Sequence, residues 1–187
     1  QSEEKFAAFT VYLDDDHACA VFRGTDATLV GWKEDFNMAF LPVIPSQADA
    51  ADYVTKLGEG FPGKLLLMGH SKGGNLAAYA GMFCDPEIQK RIERVYPLDS
   101  PGFIGNTLES EEYGRIQSRV HKVIPKGSLI GMLLENHGAY SVVESNQMGI
   151  MQHDPFSWQV TDGAFHTLEE ISSGAKYMNK TLNSWIT

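Results

Sequence analysis

Lys64 to Ala80 (KLLLMGHSKGGNLAAYA) constrains this chain more than any other stretch. Leu65 to Met68 form an apolar run of the length of one buried strand, Gly69 and Gly73 bracket Ser71, and the alanines and glycines beyond Lys72 suit a helix that packs closely on a sheet. A G-x-S-x-G turn between strand and helix puts its serine in a strained corner, and neighbours without side chains leave that serine exposed. The helix that follows aims its unpaired N–H groups at the same corner. Ser71 is therefore the candidate nucleophile, set against the plainer reading of a glycine-rich turn with an idle serine.

On both sides of this unit the pattern alternates. Lys5–Leu13 and His17–Phe22 read as a hairpin whose second strand enters the sheet core, ending at Arg23-Gly24-Thr25. Thr28 to Phe40 mixes Trp32, Phe36, Met38 and Phe40 with charges and fits neither strand nor long helix. Ser46-x-x-Asp49 opens an amphipathic helix stopped by Gly58, Gly60 and Gly63, and Asp85-Pro86 starts a short one. Val95–Leu98 is a strand ending in Asp99-Ser-Pro-Gly, Thr107–Gln117 a polar helix, Arg119–Ile124 a strand, Tyr140–Val143 another, and His166–Trp185 a closing helix. Such alternation predicts an α/β chain with a mostly parallel sheet and helices on both faces, its ligands beyond the carboxyl ends of the strands. Thr25, Ser71 and Asp99 all fall at such ends.

A serine hydroxyl needs a base, and the base needs an acid to orient it. In α/β-hydrolases these follow in the order Ser, Asp/Glu, His, and Asp99 and His153 fit that order. Pro101 and Gly102 turn the chain sharply after Asp99, while Asp154-Pro155 and the aromatic Phe156 and Trp158 surround His153. His166 is the reserve base. His17, His70 and His121 read as structural, His70 because the variable position of such an elbow usually points away from the active side. The backbone N–H of Lys72 and the N–H and hydroxyl of Thr25 are the candidate oxyanion donors. No histidine or cysteine spacing makes a metal site, and no cofactor is implied.

At these residues the chain resembles the class-three lipases of the α/β-hydrolase superfamily. Phe22-Arg-Gly-Thr25 followed by Trp32 and Asp35 resembles that family's strand, oxyanion residue and lid, and Gly69-His-Ser-Lys-Gly73 its elbow. A still closer resemblance is to a bacterial group of lipase-like proteins of unknown function, through Gly31-Trp-Lys-Glu-Asp-Phe-Asn37 and Gln152-His-Asp-Pro-Phe-Ser-Trp158. The resemblance implies serine esterase chemistry, Thr25 as oxyanion residue, and Trp32 and Phe36 in a substrate-binding cover. It departs at Ser128, which stands where class-three lipases carry their acid. Leu98-Asp99-x-Pro-Gly-Phe103 resembles instead the pancreatic-type lipases, whose acid sits one strand earlier.

The expectation is one α/β-hydrolase-like domain over residues 1–187, with room for an N-terminal segment upstream because the chain opens on Gln1 and not Met. Its function is expected to be hydrolysis of a small-molecule or lipid ester through Ser71, His153 and Asp99. The alternative is a catalytically silent domain that binds lipid or protein on the same fold, and a serine peptidase stands third. A net charge of -9 with no basic cluster argues against nucleic acid. No apolar run reaches the roughly 18 residues of a membrane span. Two isolated cysteines, Cys19 and Cys84, and the lack of a leader pattern point to a reducing, cytoplasmic setting. Oligomeric state and natural ester are not written in the sequence.

Overall fold

A computed structural model describes residues 6–24, 44–134 and 138–186. The strands are β1 (Ala8–Tyr12), β2 (His17–Phe22), β3 (Lys64–His70), β4 (Ile92–Leu98), β5 (Lys122–Pro125), β6 (Tyr140–Val143), β7 (Val160–Thr161), β8 (Ala164–Phe165) and β9 (Thr167–Leu168). A seven-stranded sheet takes the order β1-β2-β3-β4-β5-β6-β9, and β7 pairs with β8 as a separate hairpin. From β2 to β6 all neighbours are parallel, and the edge strands β1 and β9 are antiparallel. The helices are α1 (Pro45–Gly60), α2 (Lys72–Phe83), α3 (Pro86–Gln89), α4 (Glu111–Ile116) and α5 (Ser173–Ile186). Among the described residues no helix is long and apolar enough to cross a membrane.

The sheet core explains why α2 lies so close. Ala18, Ala20 and Phe22 of β2 and Leu65 and Leu67 of β3 are buried in register on one face, Ala18 opposite Leu65 and Ala20 opposite Leu67. Against them pack Leu76, Ala77, Ala78 and Ala80 of α2 with Ala50 and Val54 of α1, so small side chains on both layers bring helix and sheet together. Further along, Ile124 and Val142 are covered by Ile171 and Ala175, while Val123 and Val143 are covered by Trp158. Met132 packs, partly buried, against the Ile124 cluster.

Three helices begin or divide differently from the sequence reading. Pro45, not Ser46, opens α1: proline has no N–H to satisfy, and Ile44 before it donates its own N–H to the Gln47 side chain at 3.0 Å. The Thr107–Gln117 helix divides into a 3-10 turn, Gly105–Glu109, and α4, because Ser110 stops the first and caps the second by accepting the Tyr113 N–H. His166 does not begin the last helix, because Thr167 and Leu168 pair with Val143 and Val142 as β9 and delay α5 to Ser173.

Candidate active site

Ser71 stands where β3 passes into α2, with φ 56 and ψ -128. A left-handed φ at a non-glycine residue costs on the order of 1–3 kcal/mol, and hydrogen bonds on both sides hold it. The Ser71 N–H donates to the Leu98 carbonyl and the Gly74 N–H to the Ser71 carbonyl, each at 2.9 Å. The flanking glycines serve close approach: a Cβ on Gly69 would collide with the Gly73 carbonyl, and one on Gly73 with the Phe22 carbonyl. A Cβ on Gly24 would lie 2.6 Å from the His70 oxygen and 3.6 Å from the Ser71 Cβ. The end of β2 thus passes beside the elbow one residue before Thr25. Thr25, Trp32 and Phe36 lie outside the described residues, as does His137.

Asp99 caps the end of the neighbouring strand, β4, in a left-handed conformation with φ 40, and is 1% exposed. Its two oxygens have separate work. Oδ1 accepts the Ser128 hydroxyl at 2.5 Å and the Gly131 N–H at 3.1 Å; Oδ2 faces His153 Nδ1 at 2.7 Å. Ser128, the point of departure from the class-three pattern, thus hydrogen-bonds an acid that comes from the previous strand. Asn75, one turn into α2, secures the chain beyond Asp99 by donating to the Gly102 carbonyl at 2.8 Å, and Gln47 of α1 donates to Asn75 at 2.8 Å.

His153 ends a 3-10 turn, Gly149–His153, with 27% of its side chain exposed. Its neighbours fix the loop. Gln152 accepts the Gly127 N–H through its side chain at 2.9 Å and the Trp158 indole N–H through its carbonyl at 2.8 Å. Asp154 accepts the Phe156 N–H at 3.0 Å, and the Ser157 hydroxyl donates to the Asp154 carbonyl at 2.6 Å. With Nδ1–H donating to a buried carboxylate, the neutral imidazole presents its lone pair at Nε2, the nitrogen a general base needs.

The other histidines sort by their partners. His166 meets Thr161 Oγ1 at 2.6 Å and lies 3.9 Å from Glu144, at the β8–β9 corner. His17 pairs with Asp14, and His121 with Ser141. His70 departs from the expectation that it points away: its Nε2–H donates to the His153 carbonyl at 2.7 Å, and the two rings lie 4.5 Å apart. Burial first, then the neighbouring His153, pull its pKa below the ordinary histidine value and favour the neutral ring. Lys122 is a half-buried ionisable group that sequence reading passed over. Its ammonium donates to the Gly131 carbonyl at 2.5 Å, and burial pushes its pKa down to about 7 against the opposing pull of Asp99. A lysine inside an apolar strand was the available signal for it; nothing local marks the long-range partners of His70 and Ser128. Among the described residues no group of three or more His, Cys, Asp or Glu side chains could hold a metal ion.

The arrangement can be set beside known proteins. The Mbeg1-like family matches residues 1–187, the whole chain. No curated protein matches the sequence. Among solved structures, a fungal lipase–inhibitor complex described as a model for interfacial activation is similar at 15% identity and a TM-score of 0.52, covering 95% of this chain and 77% of that one. A propeptide complex of Rhizomucor miehei lipase, in a deletion-mutant form, is similar at 15% identity and a TM-score of 0.52, over 93% of this chain and 59% of that one. The lipase of Rhizopus microsporus var. chinensis shares 20% identity at a TM-score of 0.49, and this chain spans 64% of that enzyme's length. At these identities the likeness shows the fold alone, that of the α/β-hydrolases.

Proposed function

The chain belongs to the Mbeg1-like family, and we propose that it is a serine hydrolase of carboxylic esters, with Ser71 as nucleophile, His153 as base and Asp99 as the acid that orients it. The observation that carries this reading is the buried Asp99 carboxylate. One oxygen is occupied by Ser128 and Gly131 and the other is left for His153 Nδ1 at 2.7 Å, on a loop that touches the residue preceding Ser71.

In the acylation step Ser71 Oγ attacks the ester carbonyl as His153 Nε2 takes its proton, and Asp99 stabilises the resulting imidazolium. The oxyanion is held by the Lys72 N–H at the start of α2, with Thr25, next after Gly24, assigned as the second donor. His153 returns the proton to the leaving alcohol. Water, deprotonated by the same Nε2, then releases the acid and restores Ser71.

An apolar acyl group suits the surroundings. Met148, Ile150, Met151 and Phe156, all on the His153 loop, are exposed at 84%, 53%, 62% and 96%. Large apolar side chains left exposed on the loop that carries the base favour a lipid-like ester over a charged one. Hydrolysis of nitrophenyl esters of graded acyl length tests the reading. The expected result is turnover that disappears in Ser71→Ala and His153→Ala while both variants keep the wild-type circular dichroism. A folded wild-type protein that turns over none of these esters would favour the silent binding domain.

A further inference from the structure

We propose that His70 is a positioning residue, whose side chain clamps the loop carrying His153 to the turn carrying Ser71. Its catalytic consequence rests on the hydrolase reading above; the clamp itself does not.

His70 and His153 are 83 positions apart in sequence, and a carbonyl oxygen can only accept, so the 2.7 Å contact fixes the proton of His70 on Nε2. Both ends of that bond are backbone-anchored. His70 is the last residue of β3, in register with Leu98 of β4, and the next residue's N–H donates to the Leu98 carbonyl at 2.9 Å. The acceptor is the main chain of His153 itself, not its ring, so the bond sets where the base's backbone sits, while Asp99 sets how its ring turns. The two imidazoles, tilted by 41° at 4.5 Å, pack at the same point. Other ties of the loop lead elsewhere: Gln152 to Gly127 after β5, and His153 Nδ1 to Asp99 after β4. His70 ties it to the nucleophile's own strand. Burial first, then the neighbouring His153, lower the His70 pKa and favour the neutral ring, the form that adds no second positive charge beside the imidazolium that forms on His153 in each acyl transfer. Displacement of a catalytic group by about 1 Å can cost on the order of 100-fold in rate, which is what a loosened loop would bring.

Three variants of the whole chain separate donor from ring. His70→Phe keeps an aromatic ring and loses the N–H; His70→Gln places an amide N–H at nearly the reach of Nε2; His70→Asn is polar but too short. Hydrogen exchange reads the clamp without reference to activity, because the Met151, Asp154, Ser157 and Trp158 amides are bonded within the loop. Exchange over residues 148–158 should rise at least tenfold in His70→Phe and His70→Asn and return towards wild type in His70→Gln, with other peptides unchanged. The rate of Ser71 labelling by a fluorophosphonate and kcat on a soluble ester should follow the same order, roughly 10- to 100-fold down in His70→Phe, with KM within twofold. Should His70→Phe not fold, the Gln and Asn pair makes the same comparison. Unchanged loop exchange in both His70→Phe and His70→Asn, or equal losses in Gln and Asn, overturns the clamp. A wild-type protein that neither labels nor hydrolyses overturns the hydrolase reading instead, and the exchange data still decide the clamp.

Discussion

Asp99→Asn is the most informative single substitution, because the hydrogen bonds around the carboxylate dictate how the amide must turn. Two donors, the Ser128 hydroxyl at 2.5 Å and the Gly131 N–H at 3.1 Å, converge on Oδ1. The amide oxygen must occupy that position, which leaves the NH2 group facing His153 Nδ1. Two donors cannot face each other, so His153 must move its proton to Nε2, the nitrogen that should receive the Ser71 proton. The lost charge adds to this. At about 4 Å and an effective dielectric near 20, a carboxylate stabilises an imidazolium by about 4 kcal/mol, which is about 1,000-fold in rate. With the tautomer penalty the expected fall in kcat is 1,000- to 10,000-fold, in line with the effect of the same exchange in a serine protease triad. KM should change little, since Asp99 is buried away from any ester, and the packing is nearly isosteric, so the melting temperature should hold within a few degrees. Steady-state kinetics on a soluble nitrophenyl ester, beside calorimetry, measure both quantities. A fall of less than tenfold would refute the assignment of Asp99 as the orienting acid.

Other expectations follow from the same contacts. Gly73→Ala places a Cβ against the Phe22 carbonyl and 2.9 Å from the Arg23 carbonyl carbon, so urea unfolding should show a loss of about 3 kcal/mol. Gly60→Ala, at the exposed end of α1 with open space around it, should instead be neutral or stabilising by about 0.5 kcal/mol. Lys122 titrates at about 7 in the native chain and near 10.5 when unfolded. Between those values the unfolded chain holds a proton that the native chain lacks, so this group makes stability rise with pH by about 1.4 kcal/mol per unit. Lys122→Met should remove that slope from urea melts at pH 7 to 9, and parallel curves for the two proteins would show that Lys122 does not titrate there. The pair Met151→Ser and Phe156→Ser should lower hydrolysis of long-chain esters severalfold and leave acetyl esters within twofold, as expected of an apolar rim that meets the acyl chain.

The parts of the fold legible in the sequence were those written locally. Leu65 to Met68 followed by Gly69 could only be a buried strand meeting a tight turn, and the alanines of α2 marked a close-packed helix. The turn at Asp99 was readable because Pro101 and Gly102 follow the end of its strand, and the loop at His153 because Asp154-Pro155 comes next. The rest depended on partners distant in sequence. β9 has two residues, too few for any periodicity, and exists because Val142 and Val143 offer it an open edge. Ser46 looked like a cap because serine favours that place, but Pro45 suits the first helical position better and Gln47 supplies the missing acceptor. The Ser128–Asp99 and His70–His153 contacts join residues 29 and 83 positions apart, and no local pattern encodes such a pair.

The central claim is that Ser71 is an activated nucleophile, and labelling with a fluorophosphonate tests it most directly. The wild-type protein, full chain and folded, should incorporate one adduct, mapped by peptide sequencing to Ser71 and absent from Ser71→Ala. Labelling should slow by orders of magnitude in Asp99→Asn and His153→Ala. A folded protein that takes up no label, or labels equally well without Asp99 and His153, would contradict the account.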